Sequence, residues 1–423
     1  MKIVHAADLH IDSPMVGVEK YPGVPVEQLR SATRDAFHNL VTFTVDEGAE
    51  LLLLAGDLFD DNWRDYATGL YFLRELRRLR DVGTKVVLIR GNHDAAGHVT
   101  RKLLLPEQYV KELATKKPET WVANDLGVAV HGQGYAQRET TQDLAASYPA
   151  PISGLLNIGL LHTSLDGREG HASYAPTNVR ALEARGYDYW ALGHVHAREI
   201  VSREPWIVFP GNLQGRSVRE AGAKGATLIT ALDGQVTDVT HVPLDVVRWK
   251  TIEIDATDAP DDETVLGLLE RALEEHGGAL DSRLGVARVI IRANARLFGR
   301  LLSDEESFVS EVRNHANTRT GESWAIEKVR VLAAREDVSR HAPGPSHSAD
   351  APDGGDGPLF AVGDAPPADA ALIERAREKL RAFNARMPKE VRDTLPLDDD
   401  GVLSQLLAEA DAILMRALRE DER

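Results

Sequence analysis

Short apolar runs alternate with longer amphipathic stretches through the first 245 residues. The runs at 2–7, 51–55, 85–89, 155–161 and 189–192 have strand length, whereas 26–47 and 66–80 repeat apolar residues at three-to-four spacing and predict helices. Strands alternating with helices predict an α/β layered domain. From Pro205 the rhythm shortens. The runs 207–209, 226–232 and 236–242, with Asp233-Gly234 as a turn, predict a second, antiparallel sheet. A smaller α+β unit follows, with strands expected at 249–254, 285–292 and 325–332 and helices at 262–276 and 303–318. The expected boundaries are thus 1–245, 246–338, a Pro- and Gly-rich flexible linker at 339–368, and a tail at 369–423. In that tail Leu372, Ala376, Leu380, Phe383 and Met387 line one helix face, and Leu403, Leu406, Leu407, Ala410, Ile413, Leu414 and Ala417 line another.

Composition narrows the class. Hydrophobic residues at 43% and charged residues at 27% describe an ordinary globular chain of 423 residues. No apolar run approaches the roughly 18 to 20 residues that span a bilayer, and charged Asp8 interrupts the first stretch where an export signal would be apolar. The absence of cysteine removes disulfides, thiolate zinc sites and cysteine nucleophiles, and fits a cytoplasmic location. The net charge of −17 has the wrong sign for a non-specific nucleic-acid binder, because such affinity comes from Lys and Arg neutralising phosphates. Residues 350–423 hold 17 acidic and 10 basic side chains and account for much of that excess.

Candidate chemistry follows strand after strand. Asp8 and His10 come after the first run; Gly56, Asp57 and Asp60 after the second; Gly91, Asn92, His93 and Asp94 after the third; His162 after the fourth; Gly193, His194 and His196 after the fifth. Carboxylate, imidazole and amide oxygen are the groups that hold hard and borderline divalent cations, and loops at the carboxyl ends of strands present them rigidly. Each piece alone is an ordinary polar turn. Five in order predict a binuclear metal site.

The ordered blocks DLH, GDLFD, GNHD, LLHTS and GHVH, from Asp8 to His196, resemble those of the calcineurin-like metallophosphoesterases. With LHTSLDGREGH, YDYWALGHVH and FPGNLQGRSVRE, the chain is similar to the SbcD-type DNA-repair exonucleases, in their YhaO-like branch. This resemblance implies a four-layer α/β sandwich with a small α+β capping domain and a helical C-terminal tail. It implies two divalent ions, manganese before iron or zinc. One ion would sit on Asp8, His10, Asp57 and His196, and the other on Asp57, Asn92, His162 and His194, with Asp57 bridging. Metal-bound hydroxide would attack a DNA phosphodiester at a DNA end. His93 would contact the scissile phosphate or protonate the leaving oxygen, and Asp94 would orient its ring.

An SMC-like coiled-coil ATPase, gripped by the tail helices, is the implied partner, since no G-x-x-x-x-G-K-[ST] occurs in this chain. A homodimer is a further expectation, and a membrane is not. Arg198, Arg216 and Arg219, with Arg203 and Lys224, are candidates for a phosphate-contacting rim, against an ordinary salt-bridged face; the same two readings apply to Arg283, Arg288, Arg292, Arg296 and Arg300. His5, His38, His98, His131 and His171 read as structural, and Trp63, Trp121 and Trp190 as core or rim aromatics. The chain departs from archaeal and eukaryotic relatives in reading GDLFDDN, with Asp60, where those have a histidine soon after the block, and in Ser217 where YhaO-like chains often have histidine. Two other functions stay open: hydrolysis of nucleotides or other small phosphate esters, and a largely non-catalytic scaffold for DNA ends or the ATPase. The His93-Asp94 pair weighs against the scaffold, which needs no general acid.

Overall fold

The computed structural model describes residues 1–13, 15, 24–60, 66–97, 103–166, 174–333 and 378–379. The expected linker, nearly all of the tail, and Trp63, His98 and His171 lie outside the described residues. In chain order the elements are β1 (Lys2–Ala6), α1 (Val26–Asp46), β2 (Leu51–Ala55), α2 (Tyr66–Asp81), β3 (Lys85–Ile89), α3 (Asn92–Ala96), β4 (Val110–Glu112), β5 (Glu119–Ala123), β6 (Val128–Gly132), β7 (Leu156–His162), α4 (Val179–Glu183), β8 (Tyr189–Gly193), β9 (Glu199–Arg203), β10 (Trp206–Phe209), β11 (Gly225–Leu232), β12 (Gln235–Pro243), β13 (Val247–Ala256), α5 (Asp262–Gly277), β14 (Leu284–Ala293), α6 (Ala295–Ser303), α7 (Glu305–Thr320) and β15 (Trp324–Ala333).

Two six-stranded sheets stack face to face. The first has the order β12-β11-β1-β2-β3-β4 and the second β5-β6-β7-β8-β10-β9. The strands β1 to β4 run parallel, as do β6, β7, β8 and β10. Parallel strands covered on both faces are apolar throughout, and Leu51–Ala55 is buried along its whole length. Ile3, Leu51, Leu53, Val87 and Ile89 face Val130, Ile158, Leu160 and Ala191 between the sheets. On the outer face Val4, Leu52, Leu54 and Val86 meet Phe37, Leu40 and Val41 of α1 and Phe72, Leu76 and Leu79 of α2. Beyond the second sheet, Trp190, Leu192 and Phe209 pack under Leu182 of α4 and the loop residues Tyr135, Tyr148 and Leu165. The result is the expected four-layer α/β sandwich, its fourth layer built mostly of loops.

The strands after Pro205 do not make a sheet of their own. The hairpin β11–β12 adds to the first sheet, antiparallel to β1, while β10 joins the second sheet parallel to β8. Edges of both sheets were open to them, and pairing there covers backbone groups that a separate sheet would leave exposed.

Residues 1–337 form one compact unit and 338–423 another, of which only Glu378 and Lys379 are described. Within the first unit β13, β14 and β15 form a small parallel sheet with β14 central, covered by α5, α6 and α7 over its own apolar cluster. The helix expected at 303–318 is α7, and the short α6 ahead of it was not expected; between them the Asp304 side chain accepts from Ser307 N and caps α7. Gln214 ties this unit to the sandwich: its Oε1 accepts from Val246 and Val247 N–H at 2.9 and 3.2 Å, and its Nε2 donates to the Val247 carbonyl at 2.7 Å.

Candidate metal centre

The carboxyl ends of β1, β2 and β3 in the first sheet meet those of β7 and β8 in the second, and there the sequence-predicted residues converge. Asp8, His10 and His196 offer ligand atoms within 4.8 Å of one another, as do Asp57, His162 and His194. Asp8, His10, Asp57, Asn92, His162 and His194 are all buried. Several of them hold left-handed backbone, with φ of 52° at Asp8, 42° at His10, 51° at Asp57 and 100° at His194. Such strain in residues with a Cβ persists only where packing enforces it, and it turns these side chains into the cleft. Glycine supplies the remaining room. A Cβ on Gly91 would collide with the Asp57 carboxylate, and one on Gly193 with the Ala55 carbonyl.

Hydrogen bonds fix how each ring faces the cleft. His162 Nδ1 donates to the Ala55 carbonyl at 2.8 Å, which leaves Nε2 as the inward nitrogen, 3.0 Å from Asn92 Oδ1 and 3.4 Å from Asp57 Oδ2. His10 Nδ1 donates to Asp60 at 2.5 Å and His196 Nδ1 to Glu220 at 2.7 Å. Their Nε2 atoms then face each other at 3.4 Å as two lone pairs. Nitrogen and oxygen atoms this close share a proton or a metal cation, and the donor set fits metal ions of the hard-to-borderline class. Burial opposes charge throughout, yet the Asp57 carboxyl is held far below its ordinary range by His162, and Asp57 in turn lifts the His162 imidazole to about 9. Without metal the cluster keeps its charges by pairing them.

Asp94 was expected to orient the His93 ring, and the structure shows it holding backbone. Its carboxylate accepts the backbone N–H groups of Leu58, Phe59 and Gly91 at 3.0 to 3.2 Å, which clamps the loop after β2 to the loop after β3. Burial, and then the charge of Asp57, push its carboxyl up to about 7. His93 stands at the mouth of the cleft, with its backbone N–H on Asp57 Oδ1 at 2.9 Å, its ring 5.0 Å from that of His10, and its Nδ1 3.8 Å from Asp60.

The candidate rim separates into unlike members. Arg216 borders the cluster but is engaged by Glu220, at 3.0 Å. Arg198 donates to Thr227 in β11 and is tied into the sheets, and Arg219 is exposed. Arg203 lies over the Trp206 ring, and Lys224 donates to the His196 carbonyl. In the small unit Arg283, Arg288, Arg292 and Arg300 pair with Asp245, Glu327, Glu253 and Asp262, which is the salt-bridged reading. Asp60, a candidate from the second block, stands behind His10 outside the two ligand sets, and Glu220, behind His196, is the neighbour to which motif reading gave no role, because a charged residue behind a ligand carries no spacing of its own.

Residues 1–198 match the family model of the calcineurin-like phosphoesterases, and 249–334 that of the middle domain of metallophosphoesterase YhaO. The chain is 32% identical over 273 residues to the "Uncharacterized metallophosphoesterase YhaO" of Bacillus subtilis (strain 168), across 64% of this chain and 67% of that one. The chain belongs to the calcineurin-like phosphoesterases. As a member it is a metal-dependent phosphoester hydrolase. This phosphoesterase is also 24% identical over 265 residues to the DNA double-strand break repair protein Mre11 of Sulfurisphaera tokodaii, across 58% of this chain and 65% of that one. It spans about two thirds of the length of these two curated relatives. Among solved structures, that of TT1561 of Thermus thermophilus covers 57% of this chain and 98% of its own, with TM-score 0.34 and 12% identity.

Proposed function

We propose that this phosphoesterase is a two-metal DNA phosphodiesterase of the cytoplasm that works on DNA ends, with manganese as its metal. Asp8, His10, Asp57 and His196 would hold one ion, and Asp57, Asn92, His162 and His194 the other. When bound, the two ions supply Lewis acidity and a water acidic enough to attack phosphorus. The chain's own residues do the rest. The backbone N–H of His93 on Asp57 holds the histidine at the cleft mouth, where its ring can give a proton to the departing oxygen. Asp94 keeps the two loops in register, and the buried cleft limits bulk water around the developing charge.

The observation that carries the reading is His93, an imidazole at the opening of a cluster whose inward donor atoms fit divalent cations. A scaffold would have no use for it. DNA as substrate is supported by the likeness to Mre11, and an SMC-like coiled-coil ATPase gripped by the tail by the tail's two amphipathic faces beyond a long Pro/Gly tether. A second substrate class, nucleotides or other small phosphate esters, is favoured by the net charge of −17 and by Arg216 being engaged with Glu220.

The deciding experiment is manganese-dependent hydrolysis of end-labelled duplex DNA beside bis-p-nitrophenyl phosphate, with wild type, Asp57→Ala and His93→Ala. The proposal expects both substrates to be cut by wild type, neither by Asp57→Ala, and slowly by His93→Ala with two metals retained, a loss of about 10²- to 10⁴-fold. Cleavage of the small ester alone, with and without an ATPase partner, would move the reading to the second substrate class.

A further inference from the structure

The two halves of the metal centre are supported differently. His162 is backed by a main-chain carbonyl, that of Ala55. His10 and His196, which share a subsite with Asp8, are each backed by a carboxylate: Asp60 at 2.5 Å and Glu220 at 2.7 Å from the respective Nδ1. One guanidinium spans the two carboxylates. Arg216 places Nη2 3.0 Å from Glu220 Oε1, and Nη1 3.7 Å from Asp60 Oδ1 and 3.2 Å from Ser13 Oγ. Glu220 is itself fixed from the other side, its Oε2 accepting from Arg216 N at 2.8 Å and Asn212 Nδ2 at 3.0 Å.

We infer that Glu220 and Asp60 are positioning residues for the Asp8–His10–His196 subsite, and that Arg216 is the strut joining them rather than a phosphate contact. The inference rests on the two-metal reading. A carboxylate on Nδ1 holds the proton there, so that Nε2 keeps its lone pair for the ion and becomes more basic, and loss of such a partner costs about 10- to 100-fold in metal affinity. Because both carboxylates serve one subsite, their removal weakens one of two binding steps. A residue that merely holds the loop together would disturb both.

The test is titration of manganese into the metal-stripped full chain by calorimetry. Wild type should bind two ions in resolvable steps. Glu220→Ala and Asp60→Ala should each weaken the same step by about 10- to 100-fold and leave the other within error, whereas His194→Ala should strike the other step. The double variant should lose less than the product of the single losses, since the two carboxylates share Arg216. Glu220→Gln, which keeps an acceptor oxygen for His196 Nδ1, should fall between wild type and Glu220→Ala, and serves where the alanine variant does not fold. Equal weakening of both steps with a lowered melting temperature of the stripped protein, or no change in either step, would overturn the inference. A wild type that binds no manganese would instead overturn the two-metal reading beneath it.

Discussion

At the scale of single residues the metal centre depends as much on what is missing as on what is present. Gly91 has no side chain because the Asp57 carboxylate and backbone occupy the place where its Cβ would go. Gly91→Ala therefore has to push Asp57, the residue common to both proposed ligand sets, out of position. A displacement of about 1 Å at such a residue costs on the order of 10²-fold. Manganese-dependent turnover of bis-p-nitrophenyl phosphate should fall by at least that much in Gly91→Ala. Activity within a fewfold of wild type would mean that Asp57 has freedom which the packing denies it. The outer ring works by the same logic. Asp94 is buried with its oxygens on three backbone N–H groups, so its contribution comes through loop register rather than contact with a reacting atom.

Individual elements carry a second consequence, seen in β1. Its residues alternate, with Val4 and Ala6 toward α1 and Ile3 and His5 toward the second sheet. His5 thus crosses between the sheets, with Nδ1 3.1 Å from the Tyr189 hydroxyl and Nε2 3.1 Å from the Leu192 carbonyl. Burial, against the help of the Leu192 carbonyl, depresses its imidazole to about 3 from an ordinary 6.5. An unfolded chain takes up this proton below about pH 6.5 and the folded one only near 3, so the stability is complete above 6.5 and lost as pH falls through that window. The slope approaches 1.4 kcal/mol per pH unit, or about 2 kcal/mol between pH 7 and pH 5. Urea unfolding at both pH values, with chelator present, should show a loss larger by that increment in wild type than in His5→Gln; equal losses would place the acid sensitivity elsewhere.

The same elements also show where sequence is informative. The covered parallel strands β1, β2, β3, β7 and β8 announce themselves as apolar runs, and the ligands follow because they sit at the ends of those runs. Glu119–Ala123 and Glu199–Arg203 are edge strands of mixed polarity, stabilised by pairing with β6 and β10, and nothing local distinguishes them from loop. Glu220 was equally silent, since its meaning comes from a histidine 24 residues away, and Asp60 stood in a motif that did not say which ring it would back.

For the whole molecule, the metal centre is also a joint. Asp8, His10, Asp57 and Asn92 come from the first sheet, and His162, His194 and His196 from the second, so ions held among them cross-link the two halves of the sandwich at one end. Stripped of metal, that end brings the carboxylates of Asp8 and Asp57 and the partly covered Asp60 together in a buried space, compensated by imidazoles, Arg216 and the backbone N–H groups of His93 and His194. A ligand that binds the folded state alone stabilises it by RT ln(1 + [L]/Kd), about 2.7 kcal/mol at a hundredfold excess over Kd. Chelation should therefore lower the melting temperature of residues 1–337 by several degrees, and manganese should restore it in proportion to the logarithm of its concentration. Asp57→Ala should flatten that response, because both subsites lose a ligand at once, whereas His93→Ala should preserve it. Scanning calorimetry across a manganese series separates these outcomes. A melting temperature indifferent to chelation would mean that the sheets are held by their apolar interface alone and that the ions, when bound, serve only the chemistry.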